Sequence, residues 1–199
     1  MEDNGLGRMV LWAMEDSQVR LVCQVKGGNP QPSVKWIRGG VTWAEVAANK
    51  SVQTNTDDTY DVTATTTVVA YRSEDRVKYF CQANHTTWTS PQNASVELYL
   101  YLKPRNPVLS DQGSLQEGGN LSVTCSVTGC RPAANLTWTG LQGQQIRTST
   151  WIPDDETYSV TSLYTTVVSR QDNGVKLVCK VTQTALGFTL TASTTLAVW

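Results

Sequence analysis

The chain has 199 residues, with 16 Lys and Arg against 17 Asp and Glu, a formal net charge of -1, and 17% charged residues in all. That near balance excludes a general nucleic-acid binder, and no basic run marks a site for an anionic membrane surface. No apolar run approaches the roughly 18 residues of a membrane span, the abundance of Thr, Ser and Val favours strands over helices, and the length fits two domains of about 100 residues.

The start, Met1-Glu2-Asp3-Asn4-Gly5, is acidic and polar and lacks the basic and apolar regions of a secretory signal. The first clear element alternates: Val19, Leu21, Cys23 and Val25 share one parity, while Gln18, Arg20, Gln24 and Lys26 take the other. Such a period of two is what a half-buried strand requires. Gly27-Gly28-Asn29-Pro30-Gln31-Pro32 reads as a turn, after which Val34 and Trp36 point inward on the next strand. Val62 to Val69 forms another strand. Val77, Tyr79, Cys81 and Ala83, and then Val96, Leu98, Leu100 and Leu102, are the inner faces of two more.

Lys103-Pro104-Arg105-Asn106-Pro107 follows, and its two prolines end the ladder and stiffen the crossing. We place the domain boundary there, giving domains 1–103 and 104–199, expected to be extended end to end. The second half repeats the first. Leu121, Val123, Cys125 and Val127 face inward, followed by a Gly129-Cys130-Arg131-Pro132 turn. Leu136 and Trp138 mark the next strand, Val175, Leu177, Cys179 and Val181 a later one, and Leu190 to Val198 the last. Asp57-Asp58-Thr59-Tyr60 matches Asp154-Asp155-Glu156-Thr157-Tyr158, and Asp75-Arg76-Val77-Lys78 matches Asp172-Asn173-Gly174-Val175-Lys176.

Trp36 lies thirteen residues after Cys23, and Trp138 lies thirteen after Cys125; Cys81 and Cys179 are the distant second cysteines. Cys, Trp and a later Cys at these intervals are the signature of an immunoglobulin sandwich, with the first Cys on strand B, the Trp on strand C and the second Cys on strand F. The fold class is therefore all-β, with two tandem immunoglobulin-like sandwiches. The 57 and 53 residues between first and second Cys are too few for the two extra strands of a variable-type domain, so each is constant-like with about seven strands. Bridges Cys23–Cys81 and Cys125–Cys179, with Trp36 and Trp138 buried against them, imply an oxidising compartment. Each bridge closes a loop of about 55 residues and adds about 4 kcal/mol on the chain-entropy model. Cys130 is the odd fifth cysteine. Its turn should be exposed, and the thiol is then available to link two copies. Tyr79, two residues before Cys81, fits a tyrosine corner; the second domain has Leu177 there.

Cys125-Ser126-Val127-Thr128-Gly129 with Arg131-Pro132-Ala133-Ala134-Asn135-Leu136-Thr137-Trp138 resembles the B–C segment of constant-like domains in nectins, nectin-like molecules and the nephrin group. Tyr158 to Ser162 and Asp172 to Val181 extend the likeness, and Cys23 to Trp36 repeats it more weakly. The resemblance implies cell-surface adhesion or immune recognition through protein partners. It also marks a departure: the amino-terminal variable-type domain that makes the main contact between cells in nectins has no counterpart here, so its partner-binding residues do not transfer.

Catalysis finds little support. His85, the one histidine, belongs at an exposed strand end, and no nucleophile motif accompanies it. Asp57-Asp58 and Asp154-Asp155-Glu156 read as turn residues and lack calcium-loop spacing. We expect no enzyme activity, no cofactor, no metal and no small-molecule substrate. Asn49, Asn84, Asn93, Asn120 and Asn135 each open an Asn-x-Ser/Thr sequon and are candidate glycosylation sites. Strand parity turns Ile37, Phe80 and Tyr99 outward on the front sheet of the first domain, and Trp88 falls in its F–G loop. Aromatic residues are enriched at binding hot spots, so these four are the candidate partner-binding residues. The expected function is an extracellular protein-recognition module, part of an adhesion or immune receptor ectodomain, binding a surface protein or a second copy of itself. Any membrane attachment would come from segments outside this chain. A secreted immune recognition protein and a passive stalk are the alternatives.

Overall fold

The computed structural model describes residues 2–3 and 9–199; Met1 and residues 4–8 of the polar start lie outside the described residues. The chain divides into two compact units, Met1–Leu100 and Tyr101–Trp199, and both are built from strands. No helix among the described residues is long and apolar enough to cross a membrane.

In the first unit the strands run β1 (Glu2–Asp3), β2 (Met9–Met14), β3 (Gln18–Gly28), β4 (Ser33–Arg38), β5 (Ala44–Val46), β6 (Asn49–Thr54), β7 (Tyr60–Val69), β8 (Lys78–Asn84) and β9 (Gln92–Tyr101). They form a back sheet β3-β7-β6 and a front sheet β1-β2-β9-β8-β4-β5. Alternation sets the core: Val19, Leu21, Val34, Trp36, Val62, Ala64, Tyr79, Cys81, Leu98 and Leu100 are buried between the sheets. The three-residue β5 is an addition at the front-sheet edge beyond the basic seven-strand plan.

In the second unit they run β10 (Val108–Leu109), β11 (Asn120–Cys130), β12 (Asn135–Thr139), β13 (Gln144–Ile152), β14 (Thr157–Val167), β15 (Lys176–Gln183) and β16 (Phe188–Thr195). The sheets are β10-β11-β14-β13 and β12-β15-β16, the four-on-three arrangement of a constant-type immunoglobulin domain. Leu121, Val123, Tyr164, Val168, Leu177 and Leu196 fill one half of its core; Val127, Leu136, Val160 and Val181 surround the cysteines in the other.

Cys23 is bridged to Cys81 and Cys125 to Cys179, with Cα–Cα distances of 6.2 and 6.5 Å. Trp36 is 4% exposed and donates its indole N–H to the Ala64 carbonyl at 3.0 Å. Trp138 packs on the second bridge's cluster but is only half-buried, short of the burial expected for it. Its indole N–H donates to Ser162 Oγ at 2.9 Å and its ring meets Tyr164 at 5.4 Å. Trp138 and the Gly140–Gly143 segment together line an open cleft of about 660 Å³.

Cys130 departs from the expectation of an exposed turn. In both units the B strand carries a bulge, between Val25 and Gly28 and between Val127 and Cys130, with Gly27 at φ +69° and Gly129 at φ +70°. A left-handed glycine accommodates the extra residue of such a bulge. The chain then rejoins its ladder with Cys130 opposite Tyr158, and the side chain turns inward. Cys130 is 0% exposed and its thiol donates to the Tyr158 carbonyl at 3.4 Å. The thiol is thus out of reach of a second chain, and the disulfide-linked dimer has no structural basis.

The two E–F corners share one backbone device. Leu100 N–H donates to Asp75 Oδ1 at 2.8 Å, and Val198 N–H donates to Asn173 Oδ1 at 3.1 Å. Asp75 therefore corresponds to Asn173, one residue later than the sequence match with Asp172. Tyr79 donates its hydroxyl to Glu74 Oε2 at 2.6 Å, not to backbone, and the same carboxylate takes the Arg38 guanidinium fork at 3.0 and 2.9 Å. The second unit secures its corner with Asp172, whose Oδ2 accepts from both the N–H and the hydroxyl of Ser169.

Candidate recognition surface

The front sheet of the first unit presents one face to the core and the other outward. On the outward face Ile37 stands directly opposite Phe80, and Phe80 opposite Ser95. Tyr99 lies on the same face of β9, two residues beyond Glu97, which is paired with Lys78. Two tryptophans extend this set. Trp12 on β2 meets Tyr99 edge-to-face, centroids 4.4 Å apart, and Trp43, just before β5, lies over Phe80 at 4.7 Å. The Phe80 ring also lies close over Gly39, where an added Cβ would meet its Cε2 at 2.9 Å. Trp12 is 41% exposed and Trp43 64%. Ile37, Phe80 and Tyr99 are half-buried beneath them. The result is two aromatic pairs on one sheet face, Trp12–Tyr99 across β2 and β9 and Trp43–Phe80 at the β4–β5 edge, with the Lys78–Glu97 position between them; Lys35 and Glu45, which pair at 4.0 Å, border the second.

Sequence parity does not single out Trp12 or Trp43. Trp12 lies in Met9–Met14, an unbroken apolar run whose lack of alternation marks no outer face; Trp43 lies just after a double glycine in a segment with no strand pattern. Trp88 belongs elsewhere. It sits in the loop after β8, its ring meets His85 at 5.7 Å, and its backbone N–H donates to the His85 carbonyl at 3.0 Å. Both imidazole nitrogens of His85 are occupied: Nε2 donates to the Pro30 carbonyl at 2.7 Å and Nδ1 meets the Thr87 hydroxyl at 2.7 Å. That ring ties two loops together.

The acidic pairs also have structural work. Asp57 Oδ1 accepts from the N–H and hydroxyl of Thr59, and Asp155 Oδ1 does the same for Thr157. These bonds hold the Asp57 carboxyl below its ordinary range. Among the described residues no group of three or more His, Cys, Asp or Glu could hold a metal ion. The five sequon asparagines, Asn49, Asn84, Asn93, Asn120 and Asn135, are all exposed. Asn84 and Asn93 share the outward front face with Phe80, toward the loop that carries Trp88.

The chain is 25% identical to human nephrin over 173 residues, covering 82% of this chain and 13% of nephrin. It is 33% identical to human cell adhesion molecule 4 over 115 residues, 58% of this chain and 29% of that protein. With human cell adhesion molecule 3 it shares 27% over 179 residues, 84% of this chain and 43% of the relative. The chain thus spans less than half the length of each. Among solved structures, the full ectodomain of mouse nectin-like molecule 4 superposes with a TM-score of 0.60 at 20% identity, covering 96% of this chain and 66% of that one. Rst D1-D2 superposes equally well at 17% identity, covering 96% of both chains. At these identities the superpositions speak for the fold. Residues 7–92 and 107–189 each match the CD80-like C2-set immunoglobulin domain, and the chain belongs to that family.

Proposed function

We propose that this chain is a protein-recognition module of the cell-adhesion type, working outside the cell and binding through the outward front face of its first sandwich. The observation that carries the reading is the two pairs Trp12–Tyr99 and Phe80–Trp43, four aromatic rings on one sheet face with Trp12 and Trp43 both exposed. Rigid aromatic side chains give large contact area at low entropic cost and dominate binding hot spots. The similarity to cell adhesion molecules supports a protein partner on an apposed surface, including a second copy of the chain. The bonding of His85, Asp57 and Asp155 supports binding without turnover, since each is committed to holding a loop. A passive spacer is the second reading, favoured by the two sequons, Asn84 and Asn93, on the same face.

The test is adhesion of chain-coated beads to one another and to cells, comparing wild type with Trp43→Ala and Phe80→Ala. A hot-spot truncation costs about 2 kcal/mol or more, a loss of about 30-fold in affinity. Equal binding by wild type and both variants would exclude this face. No binding by wild type in any pairing would leave the spacer reading standing.

A further inference from the structure

One flank of the second sandwich is open. The strand β13 is the outermost strand of its sheet, and β12 is the outermost strand of the other, on the same side. All residues of β13 but Ile152 are exposed, including Ile146 at 65% and Trp151 at 42%. A nine-residue edge offers unpaired backbone donors and acceptors to a second chain. Proteins normally blunt such edges with Lys, Pro, bulges or short strands. Gln144–Ile152 has no Lys, Pro or bulge, and its one blunting device is the inward-turned charge of Arg147. It also suits self-pairing. An antiparallel register centred on Thr148 sets Gln144 against Ile152, Ile146 against Thr150 and Arg147 against Ser149, with no like charges opposed.

Arg147 turns inward across the flank. Its Nη1 donates to Asn135 Oδ1 at 2.8 Å and to the Ala134 carbonyl at 3.3 Å. A guanidinium only donates, so it must hold the oxygen of the Asn135 amide. The other amide atom, Nδ2, is the one a glycan would use. Asn135 is exposed, opens the sequon Asn135-Leu136-Thr137, and stands on β12 at the mouth of the open flank. In the first sandwich a sequon lies on the counterpart of β13 itself: Asn49 is the first residue of β6, the fully exposed edge strand of its back sheet.

We propose that an N-linked glycan on Asn135 covers this flank and keeps β13 from pairing with the β13 of a second copy. A glycan is bulky and solvated, and Arg147 fixes the amide that bears it. The inference rests on the extracellular reading above, since only an exported chain is glycosylated in this way. It concerns the back-sheet edge of the second sandwich, a surface separate from the aromatic face of the first.

The experiment expresses the full chain in cells that glycosylate, reads occupancy of each sequon by glycopeptide mass spectrometry, and measures mass by light scattering across a concentration series. Two variants remove the sequon. Asn135→Gln also shifts the amide oxygen that Arg147 holds, whereas Thr137→Ala leaves it in place. Each is made alone and with Ile146→Lys, a charge on the exposed edge. Wild type should carry sugar on Asn135. Both sequon variants should self-associate at least about tenfold more tightly than wild type, and Ile146→Lys should reverse the gain. The proposal is overturned if sugar is found on other sequons but not on Asn135, if both variants match wild type in mass, or if Ile146→Lys leaves the association intact. Absence of sugar on every sequon would instead count against the extracellular reading itself, and with it this proposal.

Discussion

Replacing Glu74 with Gln probes the corner that fixes the base of the front sheet. The Glu74 side chain is 14% exposed, and its carboxylate accepts the Arg38 fork and the Tyr79 hydroxyl. Hydrogen bonds to a charged group are worth about 1.5–3 kcal/mol each way of counting. Removing one partner of a fully buried pair costs about 3–5 kcal/mol. Arg38 is a third exposed, which discounts the upper range. We therefore expect a loss of about 2 kcal/mol, or about 30-fold in the opening equilibrium of the first sandwich. Burial by itself would push the Glu74 carboxyl up, but the bonds from Arg38 and Tyr79 outweigh it and hold the group below its ordinary range. A folded value below the unfolded one gives stability that is complete above the unfolded value of about 4.3 and is lost as pH falls through the folded value. Hydrogen exchange of peptides from β8 reads this unit separately from the other. After correction for intrinsic rates, exchange in Glu74→Gln should be about 30-fold faster at pH 7. The gap should close in acid, where the wild-type carboxyl is itself neutral. Equal protection at pH 7, or a gap that stays constant into acid, would refute the reasoning.

The Cys130 thiol should resist alkylation in the native protein and react after unfolding, and a non-reducing gel should show no dimer that Cys130→Ser removes, because the side chain is fully buried. Gly143→Ala should destabilise the second sandwich by about 1–3 kcal/mol, read by exchange of β14 peptides, because the new Cβ would lie 2.5 Å from the Tyr164 ring and hydroxyl. Trp36→Ala should cost about 3–5 kcal/mol in the first sandwich, and Trp138→Ala less in the second, since Trp138 is only half-buried; thermal unfolding of each variant measures the difference.

What the sequence made legible was carried by strict alternation and by spacing. Val19 to Val25 and Leu121 to Val127 each turn one parity toward the core, so the strands and their inner faces follow from the pattern. The outward position of Ile37, Phe80 and Tyr99 follows from the same rule, since a side chain's face is fixed by its parity. Illegible were the points where a local irregularity changes parity. Gly129 looks like a turn residue, yet it sits in a bulge that returns Cys130 to the core. Trp43 joins the aromatic face through tertiary contact with Phe80, from a segment with no period of its own. The Tyr79–Glu74–Arg38 cluster spans 41 residues of sequence between its Tyr79 and Arg38 members, a distance over which pattern carries no information.

The central claim is that the aromatic front face of the first sandwich is the binding surface. The most direct measurement places a new glycan on that face and compares it with one on the opposite sheet. Lys35→Asn with Ile37→Thr creates a sequon on the outward side of β4, and Arg20→Asn with Val22→Thr creates one on the exposed side of β3. With occupancy of both new sites confirmed, adhesion of chain-coated beads should be abolished by the glycan on β4 and unchanged by the glycan on β3. Full adhesion with the β4 glycan in place, or its loss with the β3 glycan alone, would contradict the account.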